Sequence, residues 1–160
     1  MHITPVQSAQ GFFVLDTLAS QIGAFFVVMT CGFALLKGDD TERNAGVLIS
    51  VLWLASLLAQ LDSSLFNFQI WMFGIDVVML AILIALVWKS DKQWIVWASG
   101  FQALVVMSHI VPYINPNLPA LSAFIVINMA GYGVLGCLAI GTFWAWQDRV
   151  AEKLSLGSTQ

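Results

Sequence analysis

Five long apolar segments, separated by short polar stretches, constrain the fold of this chain more than any other feature. Four of them clearly approach the ~20 residues that a helix needs to cross a bilayer, and a fifth does so with some polar interruption. The apolar runs are continuous rather than alternating, which favours helices over a β-barrel. We therefore predict one all-α membrane domain over residues 1–160. Its five transmembrane helices are expected at about residues 15–36, 44–65, 70–88, 93–113 and 119–146.

Composition supports a membrane protein. The chain is 59% hydrophobic and 9% charged, whereas soluble domains carry about 25% charged residues. Little sequence remains outside the apolar segments to form a soluble domain. The six basic residues are mixed with acids and are too few for a nucleic-acid footprint, so the expected surroundings are membrane lipids.

The basic residues predict the orientation. With five helices, all six fall on one side, between helices 1 and 2, between helices 3 and 4, and after helix 5. The loops on the other side and the N-terminal tail carry none. The positive-inside rule makes the basic side cytoplasmic and places the N-terminus outside. The six residues are Lys37, Arg43, Lys89, Lys92, Arg149 and Lys153.

Aromatic and capping residues mark the same cytoplasmic end. Amphipathic rings prefer headgroup depth, so five tryptophans are predicted as interfacial anchors. Asp39 or Thr41 is predicted to cap helix 2, with Glu42 adding negative charge to its first turn. The tryptophans are Trp88, Trp94, Trp97, Trp144 and Trp146.

One carboxylate, Asp76, interrupts the apolar sequence FGIDVVML. It lies about 9 Å inside the outer end of helix 3. A charge at the bilayer centre costs about 2.5–3.5 kcal/mol on insertion scales, and a smaller cost remains at this depth unless the charge is paired. We predict a polar cluster in the outer half of the bundle, with Asp76 as its anion and His109 as its switchable cation, in either an ionised or a neutral hydrogen-bonded pair. The other members at similar depth are Gln102, Asn128 and Gln60.

Three interpretations of this cluster stay open, one of which is that its members make unrelated contacts with lipid headgroups or with other subunits. Interhelical hydrogen bonds of about 0.6 kcal/mol each hold many small bundles together. Alternatively, the cluster binds a proton, a quinone headgroup or another small ligand. The sequence contains no GxGxxG, P-loop, HExxH or GxSxG motif, and its two cysteines lack metal-ligand spacing. We therefore predict no catalytic or metal-binding residue and identify no cofactor.

Small residues predict where helices meet. In helix 5, Gly133, Cys137 and Gly141 recur at every fourth position, a stripe that lets another helix approach closely. In helix 3, a second small-residue face lies roughly opposite Asp76, at about 100° per residue. Helix 3 is therefore predicted to pack on both sides, at the centre of the bundle. That second face consists of Gly74, Ala81 and Ala85.

Three stretches together resemble a family of small multi-spanning inner-membrane proteins of alphaproteobacteria with no assigned function. They are DTERNAGVLI, GIDVVMLAIL and WKSDKQWIVWASGFQALVVMSH, and the similarity covers about residues 30–145. The resemblance implies a bacterial inner membrane. It transfers no activity and no functional residue.

The leading functional hypothesis is a non-catalytic accessory subunit of a larger inner-membrane assembly, joined to other membrane subunits or to further copies of itself. The alternative is a small carrier or channel for a proton or small solute that uses Asp76 and His109. An enzyme acting on a quinone or lipid is the least favoured class, so the chain is not expected to be an enzyme.

Overall fold

Five α-helices make up the computed structural model, which describes residues 18–59, 65–115 and 120–157. No strand occurs within those ranges. The predicted all-α class with five helices is therefore confirmed for the described part of the chain. The helices are α1 (Leu18–Lys37), α2 (Asp40–Ala59), α3 (Leu65–Lys89), α4 (Gln93–Ile114) and α5 (Ala120–Gly157).

Three helices exceed their predicted bounds by four residues or more. Helix α3 begins at Leu65, five residues before its predicted start. Helix α2 begins four residues early, because the polar sequence DTERN forms its first turns. Helix α5 continues eleven residues past the predicted end at 146. The extension ends in AEKLSLG, where Ala, Glu, Lys and Leu favour helix and no proline interrupts the backbone hydrogen bonds.

Three helical stretches are long and apolar enough to cross a membrane: Ile70–Lys89, Gln93–Pro112 and Ser122–Leu156. A shorter apolar stretch, Gln21–Lys37, belongs to α1. Among the described residues, no stretch of α2 is long and apolar enough to cross a membrane. The first four residues of α2, DTER, include three charged side chains.

The helices form a closed ring. Each packs on its neighbours in sequence, α1 also packs on α5, and α2 makes a smaller contact with α5 across the ring. Helices α4 and α5 make the most extensive contact. One core fills the middle and takes side chains from every helix, among them Ala34, Ile49, Leu83, Ile95 and Leu138.

Helix α3 does not lie at the centre of this ring, so the prediction that the bundle itself covers both sides of this helix is wrong for the described residues. It contacts α2 and α4, and Gly74, Ala81 and Ala85 are all exposed. The helical periodicity correctly placed these three residues on one face of α3. Within the described chain, no helix covers that face.

Two glycines of the predicted α5 stripe allow the close approach of α4. A Cβ atom added to Gly133 would lie 2.6 Å from Cδ1 of Phe101, and one added to Gly141 would collide with the indole of Trp94. Cys137, between them, packs against the core. The stripe therefore faces large aromatic side chains of α4, which occupy the space that the missing side chains leave.

Candidate functional site

The structure brings Asp76, Gln102 and His109 together between α3 and α4, and we call these three residues the α3–α4 polar site. Nε2 of Gln102 donates to Oδ1 of Asp76 at 3.0 Å and lies 3.3 Å from the Asp76 carbonyl oxygen. Nε2 of His109 lies 2.9 Å from Oδ2 of Asp76. Because Gln102 and His109 are two helical turns apart, they project from one face of α4 and engage both carboxylate oxygens.

This site is only partly enclosed. Gln102 is buried, whereas the side chains of Asp76 and His109 are 23% and 13% exposed. The ring of Phe73 packs edge-on against His109, with 6.1 Å between the ring centres. A carboxylate beside an imidazole holds a proton on either partner. The arrangement therefore joins an acidic and a basic side chain of neighbouring helices by one short hydrogen bond.

The other two predicted members do not join this site. Nδ2 of Asn128 donates to the Phe124 carbonyl within its own helix at 2.8 Å, which satisfies the amide locally. The reason is architectural, since α5 and α3 do not touch in the described chain. Gln60 lies outside the described residues.

A second polar cluster centres on Glu42, a residue whose role the sequence reasoning missed. Its carboxylate is fully buried. Nζ of Lys92 lies 2.8 Å from both carboxylate oxygens, and Nε1 of Trp94 donates to one of them at 2.9 Å. The backbone N–H of Asp39 donates to the other at 3.2 Å. These donors compensate for the removal of a carboxylate from water.

Asp39 extends the cluster to α5. Its carboxylate lies 3.2 Å from Nζ of Lys92 and 3.2 Å from Nε of Arg149. The Arg149 guanidinium also donates to the carbonyl oxygen of Lys37 at the end of α1. We call Asp39, Glu42, Lys92, Trp94 and Arg149 the end network. It gathers the three basic segments of the chain at one end of the bundle.

Electrostatics favour the charged form of Lys92. Burial alone lowers the pKa of its ammonium group, but hydrogen bonds to Glu42 and Asp39 and their negative charges outweigh burial, so the net pKa is raised. The lysine is therefore held as a cation by the two carboxylates that it bridges.

Part of the end network had a sequence signal. Asp39 precedes the first residue of α2 and Glu42 is the third helical residue, the spacing of a capping box in which the acid reaches back to the N-cap N–H. Trp94 gave no such signal. Its prediction as an interfacial anchor is wrong, because it is 4% exposed and lies in the core, whereas Trp88 is 89% exposed.

Within the described residues, no three His, Cys, Asp or Glu side chains are grouped so that they could hold a metal ion. Cys31 is buried and Cys137 partly buried, both as free thiols. No protein-family model, curated protein or solved structure matches the chain.

Proposed function

We propose that this chain is a non-catalytic accessory subunit of a larger assembly in a bacterial inner membrane, and that it docks a transmembrane helix of a partner subunit on the exposed face of α3. The single observation that carries the proposal is a regular row of exposed residues along that helix, which we call the α3 seam. The seam consists of Trp71, Gly74, Val78, Ala81, Ala85 and Trp88.

The spacing of the α3 seam suits a helix as its partner. Successive members are three or four residues apart throughout, which is the heptad pattern of helix–helix packing. All six are exposed, and a Cβ atom added to Gly74 would meet nothing within 4 Å. The seam is therefore a regular surface that the other described helices leave uncovered.

Small residues strengthen helix–helix contacts in lipid. Helices associate in bilayers through close backbone packing, which Gly and Ala permit. Glycine within a helix costs about 0.8–1.0 kcal/mol relative to alanine, and lipid contact does nothing to offset that cost. A partner helix seated against Gly74 and Ala81 gains dispersion contacts that larger side chains would prevent.

The dimensions of the seam fit the membrane. Trp71 and Trp88 lie about 26 Å apart along the helix, close to the ~30 Å hydrocarbon thickness. Indole rings at both ends suit headgroup depth. The end network supports the orientation, because it gathers basic segments at one end of the bundle. We propose that this end is cytoplasmic and that the N-terminus is outside.

The test compares two glycine substitutions. Both Gly74 and Gly100 have open space at the Cβ position, but only Gly74 lies on the seam, so Gly74→Leu and Gly100→Leu are a matched pair. After gentle detergent extraction from native membranes, we expect the wild type and Gly100→Leu to co-purify with the same partner and Gly74→Leu to lose it. A wild-type protein that emerges as a monodisperse monomer contradicts the proposal.

Photocrosslinking identifies the partner directly. A photoreactive residue at Val78 should give a crosslink that one at Val96, an exposed position on α4, does not. The mass of the product distinguishes a different subunit from a second copy of this chain.

The α3–α4 polar site supports a second candidate function, a carrier or channel for a proton or small solute. The supporting observation is the 2.9 Å pairing of His109 with Asp76. In proteoliposomes, Asp76→Asn and His109→Ala should each reduce proton flux. Flux that neither substitution changes rejects this candidate.

A further inference from the structure

A basic groove lies between the end of α1 and the extension of α5. Its volume is about 170 Å³, and it is lined by Leu36, Lys37, Trp146, Arg149, Val150 and Lys153. Three of these six side chains are cationic and none is acidic. The groove belongs to neither the α3–α4 polar site nor the α3 seam.

On α5, the basic side chains that line the groove and the neighbouring acidic side chains lie on different faces of the helix. Trp146, Arg149, Val150 and Lys153 recur at the spacing of one helical face. At about 100° per residue, Asp148 and Glu152 fall on other sides of the helix. Asp148 and Glu152 therefore do not cancel the positive charge of the groove. Asp39 pairs with Arg149, so Lys37 and Lys153 supply the net positive charge.

The groove is also held in shape. Arg149 bonds to the Lys37 carbonyl and to Asp39, so it ties α1 to α5 and occupies the negative end of the α1 dipole. The ammonium group of Lys37 lies 6.0 Å from the centre of the Trp146 ring, within the range of a cation–π contact. Two of the three cations are therefore positioned by the fold before any ligand arrives.

Apolar side chains border the cations. Leu36 is 82% exposed and Val150 is 41% exposed. A soluble anion would cover the positive charge and leave this apolar surface in contact with water. A phospholipid satisfies both, with its phosphate at the cations and the start of its acyl chains along Leu36 and Val150.

We propose that the groove binds the phosphate headgroup of an anionic phospholipid. Basic pockets between helices at a cytoplasmic membrane surface bind such headgroups, and Trp146 suits headgroup depth. The inference uses the proposed membrane orientation but is independent of the α3 seam. Its test measures lipid rather than partner proteins, so failure of one leaves the other standing.

The experiment titrates the full-length purified protein with phosphatidylglycerol and, separately, with phosphatidylcholine, and counts bound lipids by native mass spectrometry. Wild type should bind phosphatidylglycerol several-fold more tightly. This comparison needs no variant. Equal affinity for the two lipids overturns the proposal.

Substitutions then locate the site. Lys153→Gln should weaken phosphatidylglycerol binding about fivefold, the effect of one basic residue near an anionic surface. Lys89→Gln is the matched control, because Lys89 is exposed at the end of α3 but does not line the groove. An equal loss in Lys89→Gln contradicts the assignment, since it would show diffuse surface attraction.

Two further measurements distinguish lipid binding at the groove from a loss of stability in the variant and from a site for soluble anions. Circular dichroism melts in zwitterionic detergent should show that Lys153→Gln retains wild-type stability. Inorganic phosphate at matched concentration should not displace phosphatidylglycerol. If phosphate displaces the lipid completely, the groove is a soluble-anion site and the lipid proposal is wrong.

Discussion

The α3–α4 polar site and the end network both hold a carboxylate between helices, but they hold it differently. Glu42 is fully buried and receives Lys92, the Trp94 indole and a backbone N–H. Asp76 remains partly exposed and has two side-chain partners, one of them a histidine. The fully buried carboxylate has three donor groups, whereas the partly exposed one has two side-chain partners, so the number of partners rises with the burial that they must offset.

The largest expected effect comes from breaking the end network. Glu42→Ala leaves the Trp94 N–H without its acceptor and leaves Lys92 with Asp39 alone. Because Lys92 is 32% exposed, we expect a loss of about 3 kcal/mol in the free energy of unfolding, the lower end of the cost of removing one partner of a buried ion pair. Denaturant titration in detergent micelles measures this loss. Glu152→Gln, at an exposed site on α5, should change stability by less than about 0.5 kcal/mol. Equal stability of Glu42→Ala and wild type would show that the network is incidental.

The next largest loss of stability is expected at Gly141 of α5, which packs against Trp94 of the end network. Gly141→Ala places a Cβ atom against the Trp94 indole, and overpacking of this kind costs about 1–3 kcal/mol. Gly136→Ala meets nothing within 4 Å and should be neutral or stabilise by up to about 1 kcal/mol. Thermal melts of the two variants should therefore shift in different directions. Similar melts would mean that Trp94 moves aside freely.

A smaller effect is expected at the α3–α4 polar site. Asp76→Ala removes the acceptor of Gln102 and the partner of His109, and an unsatisfied buried donor costs about 1–3 kcal/mol. Partial exposure of Asp76 places this loss below that of Glu42→Ala. Asp76→Asn, which keeps an oxygen acceptor for Gln102, should lose less than Asp76→Ala. If Asp76→Ala and Glu42→Ala unfold at the same denaturant concentration, the two carboxylates contribute equally to stability. That result would contradict the distinction between the two sites.

The smallest effect is a pH dependence of the end network. The pKa of Lys92 is raised in the folded protein, so its contribution to stability is complete below the unfolded pKa of about 10.4 and is lost as pH rises through the folded value. Melting temperatures measured above about pH 10 should fall more steeply for wild type than for Lys92→Met. Parallel curves would show that the lysine charge contributes nothing to the fold.

The sequence correctly predicted the features that depend on the spacing of residues within one helix. Apolar segments predicted the helices because each one must satisfy its own backbone polar groups. Gln102 and His109 share a face of α4 by their spacing alone, and depth in the helix matched them to Asp76. Asn128 passed the same depth criterion but lies on a helix that does not touch α3. Depth places a residue along the bundle axis, whereas the order of helices around the ring decides which residues meet.

The contacts of the end network could not be predicted from the sequence for a related reason. Glu42 meets Lys92 and Trp94 across 50 and 52 residues of sequence, and no local pattern encodes such pairings. Only the capping-box spacing of Asp39 and Glu42 was visible. Trp94 was misassigned because residue type predicts an interfacial depth for tryptophan, but the space beside Gly141 offers it a buried position that composition does not reveal.

The contact between α1 and α5 that closes the ring also bears on how the protein is made. The first helix leaves the ribosome well before its partner is synthesised, and at about 5–20 residues per second the delay lasts several seconds. Throughout that interval, the surface of α1 that packs on α5 in the folded protein has not yet met its partner. A chain terminated before α5 would leave both α1 and α4 with unmatched surfaces, and exposed apolar surface of this kind makes an incomplete product prone to aggregate.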